Sequence, residues 1–362
     1  MVLNKKANTY FICATQTGNL GDLIINKMLV NELCKYGNVY LDAFGIPDKF
    51  KQPMLENENV VDVSSFSFTV KRLSVNNLFK FIFFLRKHDV KLVTRSPGPL
   101  CEPSNKVRVG FTIINKLAQF CRAKVVYFGN CCSEAIAKKD ILKTTYMDGI
   151  FVRSLQSVEY ATTYLKCPVS YIPDMAFLMV SPKTCEKKKT VIVDYRSVVD
   201  DNEKSVSDLK SIVHDFRSLG YAVELYFQVK SDMEDMLSLY EMLKDEGVTM
   251  RKEILWYEDI ESYYSDKAFV VSNRLHSLLF GAAYGVIPVA RISDDPHVTK
   301  IMHVFKSSLP EMFYQDMMIN RHIDVNRLVS EENIYRKNLA ESMEDSKKKC
   351  SEIISGKISE LE

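Results

Sequence analysis

Short β-branched and aromatic runs alternate with stretches of helical periodicity along almost the whole chain, and this alternation leaves few folds open. Residues 9–14 (TYFICA), 39–43 (VYLDA), 92–94 and 124–128 (KVVYF) read as buried strands. Between them, apolar residues recur at helical spacing over about 22–36, 76–87 and 111–121. A short strand at 149–152 and a helix at 154–164 continue the order. Strands that are apolar throughout must be buried on both faces. The pattern therefore predicts a parallel sheet with helices on both sides.

The alternation is interrupted once. Residues 181–190 (SPKTCEKKKT) are polar and charged and contain Pro, the composition of a linker. A second alternation follows, with strands at 191–194 (VIVD), 222–227 (AVELYF), 249–254, 268–271 (AFVV) and 287–292. Helices are expected at 204–218, 232–245, 258–265 and 273–285, and a charged amphipathic helix over about 330–361. At 362 residues the chain suits two domains of medium size. The expected organisation is an N-terminal α/β domain 1–180, a linker 181–190, a C-terminal α/β domain 191–330 and a terminal helix 331–362. Two such Rossmann-like domains would leave a central cleft. Open α/β sheets bind ligands beyond the carboxyl ends of their strands, so chemistry is expected in the turns that follow strands.

Composition excludes several classes. With 46% hydrophobic and 26% charged residues the chain is globular, not disordered or low-complexity. Lys and Arg (48) nearly cancel Asp and Glu (46), which gives no general pull toward nucleic acid. Residues 79–85 (FKFIFFL) form the most apolar run, far too short to span a bilayer. Its helical spacing reads as core packing. The nine cysteines show neither CxxC nor Cys/His ligand spacing, so reduced, cytosolic thiols and no metal site are expected. The lysine runs 187–189 and 347–349 read as solvated faces that would help the protein approach anionic lipid.

Two turns stand out. TQTGNLGD (15–22) follows the first strand; Gly18 and Gly21 permit unusual backbone conformations, and Asp22 is placed to cap the next helix. It is neither GxGxxG nor a Walker loop. In the segment 268–288, a buried strand ends at Ser272, and Arg274 and His276 open the following helix. A cation and an imidazole at a helix N-terminus suit an anion such as phosphate or carboxylate. The same pair is also compatible with a surface Arg and a packed His.

In chain order, GNLGD (18–22), FVRSLQS (151–157), PDMAF (173–177), SNRLHSLLFGAAYGVIPVA (272–290) and DDP (294–296) resemble the characteristic segments of the polysaccharide pyruvyl transferase family. The resemblance runs from about residue 15 to 300, and RLH is its most specific part. It implies a GT-B-like architecture and transfer of the pyruvyl group of phosphoenolpyruvate onto two sugar hydroxyls as a ketal. Carried over, it assigns donor binding to Arg153, Arg196, Arg274, Ser272 and Asn273. Gly18, Asn19, Gly21, Asp22, Arg95 and Asp174 fall on the acceptor or cleft side. Two departures are visible. A glycine-rich turn of the family is replaced by TRSPGPL (94–100), with Gly98 alone, and His297 stands where Lys is usual.

The residue types suit this chemistry. Phosphoenolpyruvate carries a phosphate and a carboxylate, and Arg forks bind such groups through two oxygens at once. Ketal formation needs proton transfers, for which His276 is the first candidate and His297 the second, with Arg274 meeting charge on the leaving phosphate. The expected function is a cytoplasmic ketal pyruvyltransferase without a cofactor. It would act on a surface-polysaccharide sugar or its lipid-linked precursor, with peripheral association at the inner face of the membrane. The alternatives are a GT-B glycosyltransferase using a nucleotide sugar, which fold alone does not separate, and an inactive binding protein.

Overall fold

A computed structural model describes residues 7–100, 105–132, 144–180, 185–196, 203–293 and 299–361. The chain divides into two compact units. The first comprises Met1–Thr17, Asp22–Leu178 and Lys348–Glu362; the second comprises Gly18–Gly21 and Met179–Lys347.

The first unit is built on strands β1 (Asn8–Ile12), β2 (Val39–Asp42), β3 (Val60–Asp62), β4 (Val90–Arg95), β5 (Gly98–Pro99), β6 (Lys124–Cys131), β7 (Gly149–Val152) and β8 (Val169–Tyr171). Their order is β3-β2-β1-β4-β6-β7-β8, with β5 beside β6, and every named strand pair is parallel. The second unit carries β9 (Thr190–Asp194), β10 (Ala222–Leu225), β11 (Thr249–Met250), β12 (Phe269–Ser272) and β13 (Ile287–Ala290) in the order β11-β10-β9-β12-β13, again all parallel. In each sheet the order reverses beside the first strand, between β1 and β4 and between β9 and β12. That switch point is where an open parallel sheet offers a binding crevice.

The helices form where the apolar period demands them. The helix Leu275–Ala283 is buried almost all round, as its mostly apolar sequence requires. The helix Val75–Lys87 starts where Ser74 Oγ accepts the Asn77 N–H, and its buried face carries Phe81, Phe84 and Leu85. Phe81 and Phe84 pack edge-on against Tyr10, at centroid distances of 5.0 and 5.8 Å. Tyr10 donates its hydroxyl to buried Asp42 at 2.9 Å.

Several expectations are corrected. The run 79–85 is only half core: Phe79 and Phe83 point to solvent, because a helix packed on one side shows its other side to water. The strand expected over 249–254 is two residues long; Arg251, Lys252 and Glu253 follow it on the edge of the sheet, where charges suit water better than pairing. Strands β3 and β8, short and half-buried, lack the apolar continuity that marks the central strands. The lysine runs are not simply solvated. Lys187 Nζ donates to the carbonyls of Ser265 (2.7 Å) and Tyr284 (2.5 Å), and burial lowers its pKa to about 8. Lys349 lies over the Tyr171 ring at 4.7 Å. Part of the expected linker, 181–184, lies outside the described residues.

Candidate functional site

The second unit concentrates polar side chains at the switch point of its sheet. Asp194 ends β9 and Ser272 ends β12, and the two residues are register partners. Ser272 Oγ donates to Asp194 O at 2.5 Å and accepts the Arg274 N–H at 2.9 Å. Asn273 clamps the same strand ends: its Oδ1 accepts Arg196 N–H at 2.9 Å and its Nδ2 donates to Arg196 O at 3.0 Å. Ser272 and Asn273 thus use their polar atoms to hold the backbone around Arg274.

Arg274 is the N-cap of helix Leu275–Ala283 and has extended backbone. Its guanidinium makes a close ion pair with buried Asp232, while Arg274 Nε is buried with no hydrogen-bond partner among the described residues. One turn further, Ser277 donates to Asp194 Oδ2 and accepts from Gln228 Nε2 at 2.7 Å. Asp194 is fully buried, and Asp194 Oδ1 and Asp232 Oδ2 have no hydrogen-bond partner among the described residues. Desolvation raises the Asp194 carboxyl to about 7 against the opposing pull of Arg274 and the Ser277 hydrogen bond. Asp232 is raised by the same cause. Asp232 pairs directly with the Arg274 guanidinium, and Asp194 feels the same positive charge without a direct hydrogen bond to it among the described residues. Protonating either leaves Arg274 with charge to spare for an incoming anion.

The first glycine-containing turn belongs to this unit as well. Asn19 bridges to Val229 in antiparallel fashion, and its Oδ1 accepts the Gly21 N–H at 2.9 Å. A Cβ on Gly21 would sit 2.7 Å from His276 Cγ and 2.9 Å from His276 Cβ, so the absence of a side chain there makes room for the imidazole. His276 stacks on Phe280 at 5.8 Å. This revises the reading of the turn. Gly18 has no positive φ and, among the described residues, no neighbour that a side chain would meet. Asp22 lies inside the helix Leu20–Cys34, and it is Asn19 whose side chain accepts from the first turn.

The other residues singled out in the sequence lie elsewhere. Arg153 and Asp174 belong to the first unit, where both are buried and paired at 2.6 Å. Burial opposes the charge on Arg153, but Cys131 and then Asp174 outweigh it and raise the Arg153 pKa. Asp174 Oδ1 also accepts the Ala176 N–H at 3.0 Å. Arg95, at the end of β4, is buried over the Phe111 and Tyr127 rings at 4.6 and 5.8 Å. The TRSPGPL segment is held by Ser96, whose Oγ accepts the Ala14 N–H at 2.9 Å, and turns at Gly98 with φ of 112°. His297 and the DDP segment lie outside the described residues. Asp194, Asp232, Ser277 and Gln228 were not singled out from sequence; the one signal available was an Asp ending a buried apolar strand.

Two α/β units, each built on an all-parallel sheet, have a fold of the GT-B type. Solved structures with similar folds include HepE of Anabaena in complex with UDP (TM-score 0.58, 10% identity, covering 98% of this chain and 100% of that one). Another is the UDP-GlcNAc 2-epimerase of Neisseria meningitidis bound to UDP-GlcNAc (TM-score 0.59, 9% identity, 98% and 100%). No curated protein matches the sequence. The polysaccharide pyruvyl transferase model matches residues 19–290, and the chain belongs to that family of transferases. Among the described residues no group of His, Cys, Asp and Glu is arranged to hold a metal ion, and no helix is long and apolar enough to cross a membrane.

Proposed function

We propose that this transferase moves the pyruvyl group of phosphoenolpyruvate onto two hydroxyls of a sugar in a surface polysaccharide or its lipid-linked precursor, at the inner face of the cytoplasmic membrane. The observation that carries the reading is the meeting of the GNLG turn with His276, beside Arg274, Asp232 and Asp194, at one switch point. Arg274 and the helix N-terminus would take the phosphate, with Arg196 near the same strand end. His276 would pass a proton to C3 of the enol while a sugar hydroxyl adds to C2 and loses its own proton. A second hydroxyl then bonds to C2 as the C2–O bond to phosphate breaks, and phosphate leaves with the balancing proton. Phosphoenolpyruvate is a co-substrate, and the reading assigns no cofactor.

A nucleotide-sugar donor is the second reading, favoured by the UDP and UDP-GlcNAc held by the similar structures. A shared fold does not transfer a donor. Calorimetry with phosphoenolpyruvate, UDP-sugars and CMP-sugars separates the two. Binding of phosphoenolpyruvate, with a phosphoenolpyruvate-dependent mass gain on a candidate acceptor, supports the first. Tight nucleotide-sugar binding with none for phosphoenolpyruvate overturns it.

A further inference from the structure

The helices Val75–Lys87 and Asn105–Phe120 of the first unit pack against each other, and each shows an apolar stripe to solvent. On the first, Val75, Phe79 and Phe83 recur every four residues and are 72%, 68% and 67% exposed. On the second, Val109, Ile113 and Phe120 lie on one face, with Phe120 66% exposed. The stripes are tied at both ends: Leu73 Cδ1 lies over Gly110, and the Arg86 guanidinium stands 5.3 Å from the Phe120 ring centroid. Isolated exposed apolar residues need no explanation, but a contiguous patch does.

Charge identifies the occupant. In a chain with 46 acidic and 48 basic residues, the sequences of these two helices contain not one Asp or Glu, and their described charged side chains are the cations Lys80, Arg86, Lys87 and Lys116. Exposed phenylalanines on helices whose charged residues are all cations match the two layers of an anionic leaflet, acyl chains beneath phosphate headgroups. We propose that this face docks the protein on a bilayer carrying anionic lipid. The proposal takes up the membrane location of the function above but is independent of the donor.

The test is flotation of the full-length protein with vesicles of phosphatidylcholine, with and without phosphatidylglycerol. The expected result is binding that requires phosphatidylglycerol and weakens at high salt. Phe79→Ser with Phe83→Ser should lower vesicle affinity at least roughly tenfold, and Lys80→Glu with Lys87→Glu should do so independently. Circular dichroism and thermal midpoint should stay at wild-type values in both variants, because the side chains are exposed. Wild-type protein that ignores both vesicles overturns the proposal. So does undiminished binding by both double variants, or a dimer in analytical ultracentrifugation that Phe79→Ser with Phe83→Ser dissolves while vesicle binding is absent. Phosphoenolpyruvate calorimetry on the same preparation keeps the two readings apart: vesicle binding without phosphoenolpyruvate binding removes the donor assignment and leaves the docking face standing.

Discussion

Gly21 and His276, 255 positions apart in the chain, are in such close contact that a single methyl group on Gly21 would collide with the imidazole. The small residue in the GNLG turn and the histidine of the RLH segment are thus one structural feature. Gly21→Ala should displace His276 and lower stability, although Ala is the better helix former. His276→Ala should relieve the clash in the double variant. A double-mutant cycle by thermal unfolding should show coupling of about 0.5–3 kcal/mol, and additive effects would count against the contact.

Asp194 makes stability depend on pH in an unusual direction. Its folded pKa is raised to about 7, so between about pH 4 and 7 the folded state holds a proton that the unfolded state gives up. The stability this group contributes is full below about pH 4 and is lost as pH rises through 7. Asp194→Asn lacks that slope. Denaturation at pH 5 and pH 8 should show the variant gaining on wild type by a few kcal/mol, at about 1.4 kcal/mol per pKa unit. Parallel pH dependence in the two proteins would refute the assignment.

Arg153 and Asp174 form a buried pair, and removing one partner strands the other's charge. Arg153→Ala or Asp174→Ala should each cost about 3–5 kcal/mol. Replacing both, as Arg153→Met with Asp174→Leu, should cost clearly less. The check is chemical denaturation of the three variants. A double variant as unstable as the sum of the singles would mean the pair is not the relevant interaction.

Arg274 and His276 should separate kinetically. Arg274→Ala removes a charge-assisted contact made in ground and transition states, worth roughly 1.5–3 kcal/mol. It should raise KM for phosphoenolpyruvate and lower kcat, and it also leaves Asp232 unpaired. His276→Ala should lower kcat by about two to four decades with little change in donor affinity. His276→Gln should not rescue the rate, because an amide cannot shuttle a proton at neutral pH. Normal turnover with weakened binding in that variant would make His276 a phosphate ligand only.

Much of the architecture was legible in the chain. Central parallel strands are apolar on both faces, so runs such as TYFICA, KVVYF and AFVV announce themselves, as do the helices between them. The edge strands were not, because a half-exposed strand of two or three residues has no distinctive pattern. The RLH segment marked Arg274 and His276 through their place after a buried strand. The partners around them were invisible: Asp232 lies 42 positions from Arg274, and Gln228 and Asp194 lie 49 and 83 positions from Ser277, the residue after His276, and nothing local signals their approach.

By itself the sequence determined the strand–helix alternation, the order of the motifs and the family, because these depend on periodicity and residue identity along the chain. Only the tertiary structure decided which charges are spent and which are available. Folding pairs Arg153 with Asp174 inside the first unit, sets buried Asp232 against Arg274, and leaves Phe79 and Phe83 in water while Phe81 and Phe84 fill the core. Burial and pairing follow from neighbours brought together in space, and desolvation acts on each group according to those neighbours.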